Sequence, residues 1–138
     1  MLSRPTFILL FSASLFAADP AGFLLWEKGV PPGGKGAKFD NHGISISHRD
    51  KNGVAELHEK QTDILIVQSG EAVLEVGGEV VDPKTESAGE IRGPSIRNGV
   101  KKNVAAGDVI HIPAKTPHQF FVDPGKRITY VAIKVDSL

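Results

Sequence analysis

From residue 42 onward the chain is built of short alternating runs. "GISISH" sets Ile44 and Ile46 against Ser45 and Ser47, and "VAELHE", "DILIVQS", "AVLEV" and "EVV" follow closely. After a polar interval come "KKNV", "DVIHI", "HQFFV" and "ITYVAIKV". A period of two sends successive side chains to opposite faces, which is the pattern of strands. Gly70 closes "DILIVQS", and Gly77-Gly78 reads as a two-residue hairpin turn between "AVLEV" and "EVV". "VDPGK", Val122 to Lys126, separates the last two runs. No sustained helical apolar stripe occurs beyond the N-terminus, so the pattern predicts an all-β sandwich or barrel.

Two intervals depart from this pattern. "GVPPGGKGAKFDN", Gly29 to Asn41, is rich in Gly and Pro and predicts an extended arm laid on the domain. "DPKTESAGEIRGPSIRNG", Asp82 to Gly99, is polar and broken by Gly and Pro, and predicts a long surface loop. Arg92 and Arg97 in that loop are candidates for gating a pocket mouth and holding an anionic substrate.

The N-terminus has a different character. One Arg precedes an apolar run from Phe7 to Phe16, and the small residues Ala17 and Ala18 follow. The run is too short to span a bilayer comfortably, and the order of charge, apolar run and small residues fits a secretory signal peptide. The predicted division is a signal peptide over 1–18, an extended arm over 19–42 and a β-barrel domain over 43–138. The expected location is periplasmic or secreted, with no stable membrane insertion after processing.

Composition narrows the chemistry. At 138 residues the chain is one domain with room for its own apolar core. Lys plus Arg number 16 and so do Asp plus Glu, which gives no electrostatic reason to expect nucleic acid as a partner. There is no cysteine, so disulfides, thiolate sites and cysteine nucleophiles are excluded, and a transition-metal site must use His and carboxylates. No nucleophile-elbow serine motif, phosphate-binding Gly loop or zinc-protease helix motif is present.

Two Gly-bounded segments resemble the paired motifs of the cupin superfamily. In the second segment, "GDVIHIPAKTPHQFFV", Gly107, Pro113 and His118 match, while Lys115 stands where the motif has Gly and Val122 where it has Asn. In the first, Asp63 stands at the motif's Glu position, separated from Gly70 by six residues. A four-residue spacer puts His58 and Glu56 at the two His positions, and a three-residue spacer puts Glu59 and Leu57 there. Either way at least one motif histidine is replaced. The resemblance covers about Gly43 to Val135 and implies a cupin-type antiparallel β-barrel, a jelly-roll sandwich, with an extended N-terminal arm.

The resemblance also implies a metal site at His58, Asp63 and His118 with Glu56, holding Fe, Mn, Ni or Zn. The implied function is a divalent metal and a small-molecule ligand held in the barrel, as in a metal-dependent dioxygenase or isomerase. The alternative is a non-catalytic ligand-binding or metal-free module. The sequence names no catalytic residue, and fold alone does not choose among these.

Strand parity sorts the remaining positions. Ile110 and Ile112 take the inward face of their strand, which turns His111 outward. Asp63, Leu65 and Val67 share the inward face of theirs. Ile64 and Ile66 then face out and need a cover, either the arm or a second subunit, so a homodimer is expected. His42 and His48 lie outside the motifs and read as hydrogen-bonding or solvent residues.

Overall fold

The computed structural model describes residues 18–137. The signal-peptide expectation therefore lies outside the described residues except for Ala18. Two single turns of 3-10 helix, Glu27–Gly29 and Pro32–Gly34, interrupt the arm. Twelve strands follow. They are β1 (Ala37–Lys38), β2 (His42–Arg49), β3 (Ala55–His58), β4 (Gln61–Val76), β5 (Glu79–Val81) and β6 (Lys84–Ser87). The others are β7 (Glu90–Gly93), β8 (Ser95–Arg97), β9 (Val100–Ala105), β10 (Val109–Ile112), β11 (His118–Phe121) and β12 (Ile128–Asp136).

All pairing is antiparallel, and β4 serves two sheets. Its first half lies between β12 and β10, with β2 and β1 beyond β12. Its second half lies between β9 and β11, followed by β3, β7 and β6. The chain changes sheet at Gly70, where φ is 77° and a Cβ would stand 1.8 Å from the Arg127 carbonyl oxygen. Only glycine fits there. The expectation that Gly70 ends a strand is corrected: it bends one long strand, beside a register shift between Thr129 and Tyr130.

The core lies between the sheets. Leu65 and Val67 of β4, Ile112 of β10, Phe120 of β11 and Ile128 and Tyr130 of β12 are all buried. The Phe120 and Tyr130 rings stack with centroids 5.0 Å apart. Burying one such aliphatic or aromatic side chain contributes roughly 1.5–3 kcal/mol, so this layer clamps the two sheets together.

Two further expectations are corrected. Gly77 and Gly78 both have positive φ, as a hairpin turn requires, yet β5 pairs with β8 and not with β4. The reason is competition, because both edges of the second half of β4 are already taken by β9 and β11. The interval Asp82–Gly99 is not an open loop. It contains β6, β7 and β8, and β7 pairs with β3 along its whole length. Its strands are short, polar and at the sheet margin, so no alternation marks them in the sequence.

Candidate functional site

Cross-strand register assembles one polar cluster at one end of the barrel. Asp63 on β4 lies directly opposite Lys134 on β12. His58 on β3 lies opposite Glu90 on β7, and Glu56 lies opposite both Arg92 on β7 and His118 on β11. Directly opposed residues have Cβ atoms about 4.5–5.5 Å apart, so each pair meets by construction.

His58, Asp63 and His118 are each at most 5% exposed. The His58 Nδ1 lies 2.8 Å from the Glu90 carboxylate, and its Nε2 faces Asp63 Oδ2 at 3.3 Å and Lys134 Nζ at 2.8 Å. The His118 Nδ1 lies 3.2 Å from the Thr116 carbonyl oxygen, and its Nε2 faces Asp63 Oδ2 at 3.5 Å and Glu56 Oε2 at 3.7 Å. An oxygen acceptor on Nδ1 holds the proton there and leaves the Nε2 lone pair directed into the cluster. Two imidazole lone pairs and two carboxylates then converge on one buried point. That concentration of negative potential calls for a cation.

Ligand atoms of Glu56, His58 and His118 all lie within 4.8 Å of one another. The donor set is two imidazoles with carboxylates, which suits a divalent transition metal. Lys134 Nζ now satisfies part of the cation requirement, donating to Asp63 Oδ1 at 3.0 Å as well as approaching His58. Glu59, the short-spacer alternative, is exposed and offers only its backbone N–H, to the Gly89 carbonyl. The "EKQT" bend therefore turns Glu56 and His58 inward together.

The protonation equilibria follow from these neighbours. Burial works to lower the His58 imidazole, but the hydrogen bond to Asp63 and the charges of Asp63 and Glu90 outweigh it, and its pKa is raised. Protonated His58 donates Nε2–H to Asp63, whereas neutral His58 accepts from Lys134, and the two bonds exclude each other. Burial tends to raise the Asp63 carboxyl, but His58 and Lys134 hold it low. Burial dominates at His118 and lowers its pKa.

The cluster forms one wall of a cavity of about 270 Å³. Small side chains at Ser45 and Ser47 of β2 and Ala132 of β12 leave the space open. Arg49 and Arg92 also face it. Arg49 donates Nε–H to the Tyr130 hydroxyl at 2.8 Å and lies over the Phe120 ring.

The backbone has counterparts among solved structures. It is similar to a cupin protein from Bacteroides fragilis at TM-score 0.51 and 17% identity, over 71% of this chain and 68% of that one. It is also similar to a protein with a double-stranded β-helix domain from Klebsiella pneumoniae, at TM-score 0.56 and 15% identity over 82% and 90% of the two chains. This chain has the cupin fold. The cupin barrel also resembles hydroquinone 1,2-dioxygenase from Sphingomonas sp., solved with 4-hydroxybenzoate bound, at TM-score 0.54 and 11% identity. It covers 73% of this chain and 63% of that one. No family model and no curated protein matches the sequence. At these identities the likeness establishes the fold, and the chemistry must be read from the site.

The barrel thus brings together all four residues singled out from sequence: Glu56, His58, Asp63 and His118. Glu90, Lys134, Arg49 and Tyr130 were missed. Glu90 sits in the interval read as loop. Lys134 alternates with Ala132 and Tyr130 along "ITYVAIKV", so period-two parity was the one signal able to place it on the inward face. Arg92 faces the cavity, whereas Arg97 is exposed and pairs with Glu79 at 3.0 Å. His111 is exposed, His48 bonds the Thr129 hydroxyl at 2.9 Å and His42 bonds Asn41 at 2.8 Å, so none of the three joins the cluster.

Proposed function

We propose that the protein binds a divalent transition metal through Glu56, His58 and His118, with the Asp63 carboxylate as a fourth ligand, and acts on or holds a small molecule in the adjoining cavity. The observation that carries this reading is the pair of Nε2 lone pairs facing Asp63 and Glu56 at 3.3–3.7 Å. Glu90 and the Thr116 carbonyl fix the two rings from behind, as second partners of metal-bound histidines do. When bound, such a metal supplies Lewis acidity and open coordination positions for a ligand oxygen. The protein would orient the ligand with Arg49 and Arg92 and limit water through the barrel wall. The test is elemental analysis of protein purified without added metal, followed by calorimetry with Mn²⁺ and Zn²⁺. Absence of bound metal, together with no binding heat for either ion, rejects the reading.

A metal-free binding module is favoured by one specific observation, the Lys134 ammonium between His58 and Asp63, and the same titrations decide between the two readings.

The reading extends to assembly and location. Ile44 and Ile46 of β2, Val131 and Ile133 of β12, and Ile64 and Ile66 of β4 pair across strands on the outer face of one sheet. Val109 on β10, 69% exposed, continues this stripe beside Ile66. A contiguous apolar sheet face of this kind favours a second copy as cover. The arm reaches the neighbourhood of β4 through Gln68, which donates to the Lys28 carbonyl, yet Phe23 and Leu25 remain exposed. Export by cleavage near Ala18 is part of the proposal and is checked by the N-terminal mass of protein from its native host.

A further inference from the structure

We propose that the cavity's ligand is a small carboxylate, gripped by the guanidinium groups of Arg49 and Arg92; this rests on the metal-centre reading above. The argument begins with charge. Among the described residues, the cavity wall carries three cations, Arg49, Arg92 and Lys134, and three carboxylates, Glu56, Asp63 and Glu90. The wall is balanced only while no metal is present. A divalent metal leaves the enclosed site two positive charges in excess, and a buried excess of that sign is relieved by an anion.

The donors for that anion are already in place, in the terminal nitrogens of the two guanidiniums that line the cavity. Among the described residues, Glu56 is the only carboxylate that both guanidiniums approach, and the contacts are long: 3.9 Å from Arg49 Nη2 and 3.5 Å from Arg92 Nη2. Neither is a good hydrogen bond. Among the described residues, the Arg92 Nε makes no hydrogen bond and faces Glu86 at 3.3 Å, outside the cavity, which leaves the terminal nitrogens to face inward. A metal ligated by Glu56 draws that carboxylate's charge away from both arginines and frees their N–H groups further. Planar guanidinium forks match a carboxylate in paired hydrogen bonds, a geometry a neutral amide cannot reproduce.

The two arginines are held at different rigidity. Arg49 is pinned by Tyr130 and by its stack on Phe120, so it is a fixed anchor. Arg92 is partly exposed at the mouth, so it can close on a ligand after entry. Lys134, on β12 beside the β2 strand that carries Arg49, would add a third positive group once a metal took its place at Asp63.

The experiment uses the full chain loaded with Mn²⁺, with metal content measured on each sample. Lactate and malonate are titrated by calorimetry beside lactamide and malonamide. Wild type, Arg92→Met, Arg92→Lys and Arg49→Met are compared, each checked for fold by circular dichroism. The expected result is binding of a carboxylate at least tenfold tighter than its amide, a loss of tenfold or more in Arg92→Met, and partial recovery in Arg92→Lys. Arg92→Met carries the test if Arg49→Met fails to fold. Equal binding of acid and amide by metal-loaded protein overturns the inference while the metal reading stands. So does carboxylate affinity unaltered in Arg92→Met. Protein that takes up no Mn²⁺ overturns the metal reading, and the inference with it.

Discussion

The Lys134 Nζ lies 2.8 Å from the His58 Nε2, the atom that a metal would claim. It also holds Asp63 Oδ1 at 3.0 Å, so the chain supplies its own cation at the centre of the cluster. An incoming metal must displace it. A hydrogen bond to a charged group contributes about 1.5–3 kcal/mol, and partial exposure of the lysine reduces that. Lys134→Met is expected to raise Mn²⁺ or Zn²⁺ affinity about tenfold, or about 1.4 kcal/mol. Its metal-free form is expected to melt lower, because Asp63 then lies buried without its cation. Calorimetry showing equal or weaker metal binding in Lys134→Met would remove the lysine from this role.

Glu90 grips His58 from behind, so it tests the metal centre without touching the metal. Glu90→Gln keeps the shape but weakens the acceptor, and a loss of roughly 10–100-fold in metal affinity is expected. His58→Ala and His118→Ala should abolish tight binding, whereas Glu59→Ala and His111→Gln should bind as wild type does. Metal loss in His111→Gln with the fold retained would mean the strand faces are misassigned.

The two buried imidazoles titrate in opposite senses. In metal-free protein, His58 is raised by its carboxylates against the effect of burial, and His118 is lowered by burial. A raised base contributes stability that is complete below the unfolded value of about 6.5 and is lost as pH rises through the folded value. A lowered base does the reverse and costs stability as pH falls below about 6.5. His58→Gln should therefore flatten the decline in stability on the alkaline side, and His118→Gln the decline on the acid side. Imidazole proton shifts followed by NMR give the order directly. Finding His118 to titrate above His58 would contradict it.

Lys115 stands at a position where the cupin motif has Gly, and its φ of 64° is left-handed. A side chain in that region costs roughly 1–2 kcal/mol, and glycine's greater freedom in the unfolded chain returns part of it. Lys115→Gly should stabilise the protein by about 0.5–1 kcal/mol in denaturant unfolding. Gly70→Ala should destabilise it severely, because its Cβ would meet the Arg127 carbonyl at 1.8 Å. A destabilised Lys115→Gly would show that the lysine side chain contributes more than its backbone costs.

The outer apolar stripe sets the last expectation. Changing both Ile64 and Ile66 to Lys should convert a dimer to monomers in light scattering, with the metal content of each chain unaltered. A wild-type monomer at micromolar concentration would leave the stripe without a partner.

Alternation by itself determined a good deal of this molecule. It located the strands from "GISISH" to "ITYVAIKV", turned His111 outward and Leu65 and Val67 inward, and the two Gly-bounded motifs pointed to the cupin barrel. These are local properties, since period two and turn chemistry act within a few residues. Partnership between strands is not local. That β5 pairs with β8, that β4 bends through Gly70 into a second sheet, and that the polar stretch 82–99 carries β7 were settled by which edges remained free. For the site, the resemblance to the cupin motifs pointed to Glu56, His58, Asp63 and His118. Register alone set Glu90 opposite His58 and Lys134 opposite Asp63, 71 residues away along the chain. A lysine beside a buried aspartate is a property of two strands in contact, and no single run of residues contains it.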